Sequence, residues 1–352
     1  VCLVLMQPAL PFLISVIIPA YNIEKYFDEC MASLEKQELG KGCFEVVVVD
    51  DGSTDNTLER ARAYKTELNL RVEYLDVNSG PGVARNRGLE VSQGKYIFFL
   101  DGDDLLASGA LSRLSDAMEK EDIDLITFNW TYFSDTENIA DYVPRRRDLD
   151  GIPVDRDALI AHYLGMNMDG SVIYSVAKKA LFDKYQIAFL GGYHEDMPVL
   201  FQLYYAAKTV CTLNEVLYIK RNVANSIVNT LRKQHVQGYL NGWPTILKFL
   251  RRQKIETNRY MPHYIRGMSG HVCTLINKCH SINPDDYKSR EQIYGYILEA
   301  IEQDINLRKP YASYFPDVTE KDKVTQLFFT HMLIPGVPLS ERSRNFEQAY
   351  FL

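Results

Sequence analysis

Tyr96-Ile97-Phe98-Phe99-Leu100-Asp101-Gly102-Asp103-Asp104 decides how this chain is read. A run of large apolar residues reads as a strand buried on both faces, and three carboxylates around one glycine follow it without a spacer. A central strand leaves the carboxyl edge of an α/β sheet in this way, and open α/β sheets hold their ligands at that edge. Asp101 and Asp103 flank Gly102, so a single turn can present both carboxylates to one point. Hard oxygen ligands shared with a diphosphate suit Mg2+ or Mn2+. An isolated Asp-Gly-Asp is also what a solvated acidic turn looks like, so the flanking sequence has to decide.

The flanking sequence repeats the pattern. Ser15-Val-Ile-Ile-Pro19 reads as a buried strand ended by Pro19, with Ala20-Tyr21-Asn22 as its exit loop and a helical pattern over 24–37. Glu45-Val-Val-Val-Val-Asp50 runs into Asp51-Gly-Ser-Thr-Asp55, where Ser53, Thr54 or Asp55 can cap a helix starting near Asn56 and Asp51 is left for ligand contact. Arg71–Asp76 is a third strand. It delivers Asn78-Ser-Gly-Pro-Gly-Val-Ala-Arg85-Asn-Arg87-Gly88, a glycine-rich entry to a helix ending near Gln93 and a candidate anion seat. Arg85 and Arg87 fall on different faces of that helix. The loop has neither the P-loop spacing nor GxGxxG, which removes those two nucleotide-binding classes. A helix over 108–120 and a strand over 124–128 follow. Alternation of this kind predicts a doubly wound, mostly parallel sheet that binds a nucleotide.

Composition narrows the class further. The chain has 352 residues, a net charge of −7 and six cysteines without CxxC spacing. Length allows two domains, the charge argues against a nucleic-acid partner, and the cysteines read as reduced, buried thiols of a cytoplasmic protein. Cys273 and Cys279 lie near His271 and His280, but these spacings match no familiar zinc site. Val1–Leu13 is apolar, too short to cross a bilayer, broken by Pro8 and Pro11, and lacks a basic start, so neither a membrane span nor a signal peptide is expected. The missing initiator Met is expected of a processed or truncated start.

With these stretches assembled, the first half closely resembles the family-2 glycosyltransferases of the GT-A fold, a Rossmann-like α/β fold with helices on both faces of the sheet. The resemblance rests on Val16-Ile-Ile-Pro-Ala-Tyr-Asn22, Val49-Asp-Asp-Gly-Ser-Thr-Asp55, Gly80-Pro-Gly-Val-Ala-Arg-Asn-Arg-Gly88 and Phe99-Leu-Asp-Gly-Asp-Asp104, in the family's order and separations. It implies that Pro19, Ala20, Tyr21 and Asp51 line the base pocket, with Asp51 facing a uracil-like edge. Arg85 would approach the base or the diphosphate, Asp101 would face the ribose, and Asp103, with Asp101 beside it, would hold the Mn2+ or Mg2+. At lower strength the resemblance continues through His194-Glu195-Asp196, where Asp196 is the implied base and Glu195 the second choice or a sugar ligand. A plain helix N-terminus is the structural alternative for that pair. Tyr218, Arg221 and Ser226 resemble the Tyr-x-x-Arg and Ser segment that closes over the donor, with Arg221 able to neutralise leaving diphosphate.

The expected boundaries are a catalytic domain over 1–230, with nucleotide-sugar binding at 14–128 and the acceptor part at 129–230, and a mainly helical region over 231–352. Between Arg232 and Lys278 nine basic residues face one acid, Glu256. Interleaved with Tyr239, Leu240, Trp243, Ile246, Leu247, Phe249 and Leu250, they suggest a basic amphipathic helix, either on the inner face of an anionic membrane or packed on the catalytic domain. The leading expectation is an inverting transferase from a nucleotide-sugar, foremost a UDP-sugar, to a glycan or lipid-linked acceptor in capsule, lipopolysaccharide or exopolysaccharide synthesis. An inactive nucleotide- or glycan-binding scaffold is the alternative. A sugar-phosphate nucleotidyltransferase would need a glycine-rich loop where this chain reads Ile-Pro-Ala-Tyr-Asn, and a processive synthase would need QxxRW and membrane helices.

Overall fold

The structure, a computed structural model, describes residues 11–120, 122–133, 155–165, 171–192, 194–222, 231–303 and 320–351. The apolar start through Leu10, residues 134–154 and 166–170 of the expected acceptor part, and Ser226 lie outside the described residues. Contacts divide the chain into two compact units: the described residues of Val1–Arg147, Ser171–Gly191 and Ala206–Val223, and those of Asp148–Gly170, Gly192–Tyr205 and Ala224–Leu352.

The first unit is built on one sheet of eight strands: β1 (Phe12–Ala20), β2 (Phe44–Asp50), β3 (Asn69–Tyr74), β4 (Gly94–Phe99), β5 (Leu105–Leu106), β6 (Leu125–Phe133), β7 (Ser175–Lys178) and β8 (Val210–Arg221), in spatial order β3-β2-β1-β4-β7-β6-β8-β5. β3, β2, β1 and β4 run parallel, β7 enters antiparallel between β4 and β6, and β8 lies parallel to β6 with β5 antiparallel at the edge. The doubly wound, mostly parallel expectation holds. Every residue of β2 is buried, so both of its faces are covered, as its four valines require. Strand order turns back between β1 and β4, and at such a switch point the loops leave the carboxyl ends in opposite directions and open a crevice. Ala20 is the last residue of β1, and Asp101 follows the end of β4.

The helices here are α1 (Phe27–Glu35), α2 (Thr57–Ala63), α3 (Pro81–Val91), α4 (Ala110–Lys120) and, after β7, α6 (Lys179–Tyr185). α3 lies close on β1: a Cβ on Gly88 would sit 2.2 Å from Ile17 Cγ2, so glycine there sets the distance between helix and strand.

The second unit is helical, with α5 (Arg156–Leu164), α7 (Asp196–Ala206), α8 (Lys233–Arg252), α9 (Met261–Ile282), α10 (Tyr287–Gln303), α11 (Glu320–Met332) and α12 (Leu339–Tyr350). The basic stretch expected as one amphipathic helix is two, α8 and α9, joined by a short 3-10 turn at Asn258–Tyr260. The interleaved apolar residues Leu240, Trp243, Ile246, Leu247, Phe249 and Leu250 are buried within the unit. Lys248, Arg251 and Arg252 stay in water. No described helix is long and apolar enough to cross a membrane. Five described cysteines are free; Cys30, Cys273 and Cys279 are buried as expected, whereas Cys43 is exposed in the turn before β2. Among the described residues no group of three His, Cys, Asp or Glu side chains is arranged to hold a metal.

A buried polar knot closes the C-terminal helices. Arg290 of α10 donates to both oxygens of Glu347 in α12, at 2.7 and 3.0 Å, and Tyr294 Oη adds 2.9 Å to Oε1. Burial would raise the Glu347 carboxyl above its ordinary 4.5, but the Arg290 and Tyr294 hydrogen bonds outweigh it and hold it below. The ionised pair therefore stabilises the fold above that ordinary value, and the contribution disappears as pH falls through the lowered folded value. Glu347→Ala is expected to cost about 3–5 kcal/mol by leaving Arg290 buried without its partner. Melting curves taken from pH 7 down to pH 3 should show the gap to wild type closing at the acid end; a gap that stays constant would remove the ionised pair as its cause.

Candidate active site

In the first unit, the loops leaving β1 and β2 are stitched together before any ligand is considered. Asn22 takes the left-handed conformation, φ 52°, which asparagine tolerates. Its Oδ1 accepts from Thr54 N at 2.8 Å, and its own N donates to Ser53 Oγ at 3.0 Å. Asp55 Oδ1 accepts from Thr57 N at 2.9 Å in an Asx turn just before α2, whose N-cap is Asn56 with no side-chain cap bond, while Ser53 and Thr54 face the β1 loop. Pro19 and buried Ala20 end β1, and the Tyr21 ring beside them is 44% exposed.

Asp51, expected to face a base, is buried and holds the glycine-rich loop. Its backbone N donates to Ala20 O at 2.7 Å. Its two carboxylate oxygens accept from Ser79 N and Gly80 N, each at 2.8 Å. Burial pushes its carboxyl pKa up, against the pull of those two amides. Each oxygen keeps a second lone pair, so the carboxylate can hold the loop and still accept from a ligand N–H. Gly80, φ 91°, then turns the chain into α3 with Pro81 at its first position.

α3 carries Arg85 inward and Arg87 outward, the division that helical spacing predicted. Arg87 is bound to Glu73 at 2.7 Å and Glu90 at 2.7 Å on the surface. Arg85 is buried, donates through Nη2 to Asp101 Oδ1 at 2.7 Å, and lies over the Phe189 ring. Asn86 fastens the same helix to Phe189 by two reciprocal bonds of 2.9 Å, N–H to carbonyl and carbonyl to N–H. Sequence reading passed over Asn86; its place between two arginines in the glycine-rich motif was the available signal.

The acidic turn after β4 divides its labour. Gly102 is packed so tightly that a Cβ would fall 2.3 Å from Ile23 Cδ1. Asp101 answers Arg85. Asp104, not assigned a role from sequence, is fully buried and accepts Tyr218 Oη at 2.6 Å and Arg221 N at 2.7 Å. Tyr218 Oη in turn accepts from Asp101 N at 3.2 Å. Asp103 is half-buried, and among the described residues no cation pairs with its carboxylate. Burial and the neighbouring Asp101 charge push its pKa up. Such a carboxylate, short of a counter-charge, fits Mg2+ or Mn2+, which takes one or two protein carboxylates and completes its shell with phosphate oxygens and water. Arg221 donates through Nε to Asp103 O at 2.9 Å, pairs through Nη2 with Glu29, and is held between the rings of Tyr26 and Phe133.

In the second unit, His194, Glu195 and Asp196 open α7. Asp196 is its first residue and half-buried; Glu195 before it is buried. The helix start is pinned from outside, since Tyr163 Oη donates to Met197 O at 2.7 Å. His194 has φ 59° and stacks on Tyr239 at 3.6 Å between centroids. Burial pushes its pKa down to about 3, with His235, Lys278 and His271 adding to the shift. A neutral, stacked imidazole favours the structural role over phosphate contact.

Strand order, switch-point loops and an acidic turn of this kind belong to the GT-A fold, and the comparisons agree. Over nearly the whole chain, 97%, the fold superposes on the crystal structure of Staphylococcus aureus TarS 1-349 in complex with UDP-GlcNAc, covering 92% of that chain with a TM-score of 0.71 at 21% identity. Residues 15–177 match the model of the family described as glycosyl transferase family 2. The uncharacterized glycosyltransferase YibD of Escherichia coli is 30% identical over 295 residues, 81% of this chain and 84% of that protein. The uncharacterized glycosyltransferase EpsJ of Bacillus subtilis is 28% identical over 307 residues, again 81% and 84%. The chain belongs to glycosyl transferase family 2 and is a glycosyltransferase.

Tyr218→Phe tests the tie between the turn and β8. It leaves Asp104 buried with one partner fewer and is expected to cost about 1–3 kcal/mol, read as a lower urea midpoint. An unchanged midpoint would mean that Asp104 is satisfied without the phenol.

Proposed function

We propose that this enzyme moves a sugar from a nucleotide-diphospho-sugar, foremost a UDP-sugar, to a hydroxyl of a glycan or lipid-linked acceptor, with inversion, in bacterial surface polysaccharide synthesis. The observation that carries the reading is the cluster at the β1/β4 switch point: Asp51, Arg85, Asp101 and the unpaired Asp103 lie on neighbouring strand ends and the helix between them. Such a crevice accepts a nucleotide with its base toward Pro19, Ala20, Tyr21 and Asp51 and its diphosphate toward the acidic turn. The TarS crystal, which holds UDP-GlcNAc, supports a nucleotide-sugar at this fold.

Asp103, with Asp101 beside it, would hold the divalent ion. When bound, that ion supplies positive charge to the departing diphosphate. Gly102 keeps the turn tight enough for the two carboxylates to share one side, and Arg85 restrains Asp101. Arg221 braces the turn by its bond to the Asp103 carbonyl. Asp196 takes the proton from the acceptor hydroxyl as it attacks the anomeric carbon from the face opposite the leaving group, and Glu195 is the second carboxylate for that role or a ligand to the sugar. In the second unit the apolar stripe is buried, so association with an anionic membrane would be electrostatic, through exposed Lys248, Arg251 and Arg252.

Thermal-shift binding of UDP, GDP, CMP and NAD, each with and without Mn2+, tests the donor reading, because ligand affinity adds directly to stability. A Mn2+-dependent shift with UDP is expected, and Asp103→Ala should abolish the Mn2+-dependent part; no shift with any nucleotide would leave a scaffold of the same fold as the better reading. Asp196→Asn should keep donor binding while turnover drops by roughly 10²-fold or more. Near-normal turnover would move the base to Glu195 or elsewhere.

A further inference from the structure

The acidic turn has a cation that the motif comparison does not supply. Tyr218 and Lys220 are alternate residues of β8 and so project from the same face of the strand, opposite to Ile219 and Arg221. Tyr218 reaches the turn, with its Oη on Asp104 and against Asp101 N. The antiparallel register of β5 on β8 pairs Leu106 with Tyr218 and Leu105 with Ile219. Continued by one residue, it sets Asp104 across from Lys220, and the bond from Arg221 N to Asp104 Oδ1 at 2.7 Å shows that the two backbones stay together there. Cross-strand neighbours on one face have Cβ atoms about 5 Å apart.

Lys220 is half-buried, and among the described residues its ammonium has neither a hydrogen bond nor an ion pair. Burial works against its charge, but Asp104, Asp101 and Asp103 together outweigh it and keep the ammonium protonated. A half-buried ammonium kept charged by the neighbouring acidic groups, without direct contact to any of them, has three donors uncommitted among the described residues. The neighbouring cations differ: Arg85 is committed to Asp101, and Arg221 to Glu29, the Asp103 carbonyl and two rings.

We propose that Lys220 is a donor-phosphate ligand, whose ammonium meets the diphosphate of the bound nucleotide-sugar beside Asp103 and stays with the nucleoside diphosphate as it departs. This assignment rests on the donor reading of the same site. A lysine acts here as a point charge on phosphate oxygens, so it tolerates the loosening of the sugar–oxygen bond without demanding fixed geometry.

The test is titration of the full chain in Mn2+ with UDP and with inorganic pyrophosphate by calorimetry, and with uridine by ligand-observed NMR. Lys220→Met should weaken UDP and pyrophosphate by about tenfold to a hundredfold, the scale of one charged hydrogen bond, and leave uridine unchanged. Lys220→Arg should keep most of the UDP affinity. Unchanged UDP affinity in Lys220→Met overturns the assignment and leaves the donor reading intact. Loss of uridine together with UDP, with a lower ligand-free melting temperature, overturns it in favour of a counter-ion that only supports the turn. A wild-type chain that binds none of the three ligands fails the donor reading, and the assignment with it.

Discussion

The fully buried Asp104 carboxylate is the contact on which the rest of the first unit's site depends. It accepts from the Tyr218 phenol and from Arg221 N, and so fastens the loop after β4 to a strand that arrives more than a hundred residues later. A buried carboxyl group is costly unless its oxygens find partners, which makes this placement specific: a loop in any other register would leave it without donors. The position of Asp103, one residue earlier, follows. It is held by its neighbour's bonds and by Arg221 on its own carbonyl, and its side chain remains uncommitted.

The same economy of contacts governs the other loops at this edge. Asp51 satisfies two amides of the glycine-rich loop, Asn22 satisfies amides of the β2 loop, and Asp55 accepts the first amide of α2. Polar residues that a motif comparison assigns to a ligand are therefore first of all partners of backbone groups. The two roles are compatible because carboxylate and amide oxygens carry more acceptor capacity than one bond uses. Backbone bonds hold these loops in one conformation, so a ligand meets donors and acceptors that are already ordered.

Much of this was legible in the sequence. Three apolar strands and one amphipathic strand, Arg71–Asp76, gave the sheet its parallel half, although the structure ends the amphipathic one at Tyr74, and the acidic and glycine-rich exits marked its carboxyl edge. β7 was not legible: Ser175–Lys178 has four residues and no alternation, and only its insertion between β4 and β6 defines it as a strand. The second half of the basic stretch misled for a physical reason. Charge and apolar residues interleaved over 232–278 describe one long amphipathic face equally well as two helices, and the break at Asn258–Tyr260 lacks a glycine to announce it. Asp104 and Lys220 were missed because their importance is a matter of cross-strand register, and register over a separation of 116 positions is set by tertiary pairing, not by local pattern.

Charge balance at the turn explains why its residues are not interchangeable. Asp101, Asp103 and Asp104 crowd one loop, and burial together with the neighbouring Asp103 charge pushes the Asp104 carboxyl well above its ordinary value. Arg85 takes up Asp101, and Tyr218 with a backbone amide stabilises Asp104 without adding charge. Lys220 adds a positive field across all three without closing onto one of them. The residual negative charge is thus concentrated on Asp103, at the half-open position, where the proposed divalent cation would gain most by binding. A carboxylate neutralised internally at this position would leave the proposed ion nothing to bind; on the proposed reading the imbalance is retained where ligand charge would complete it.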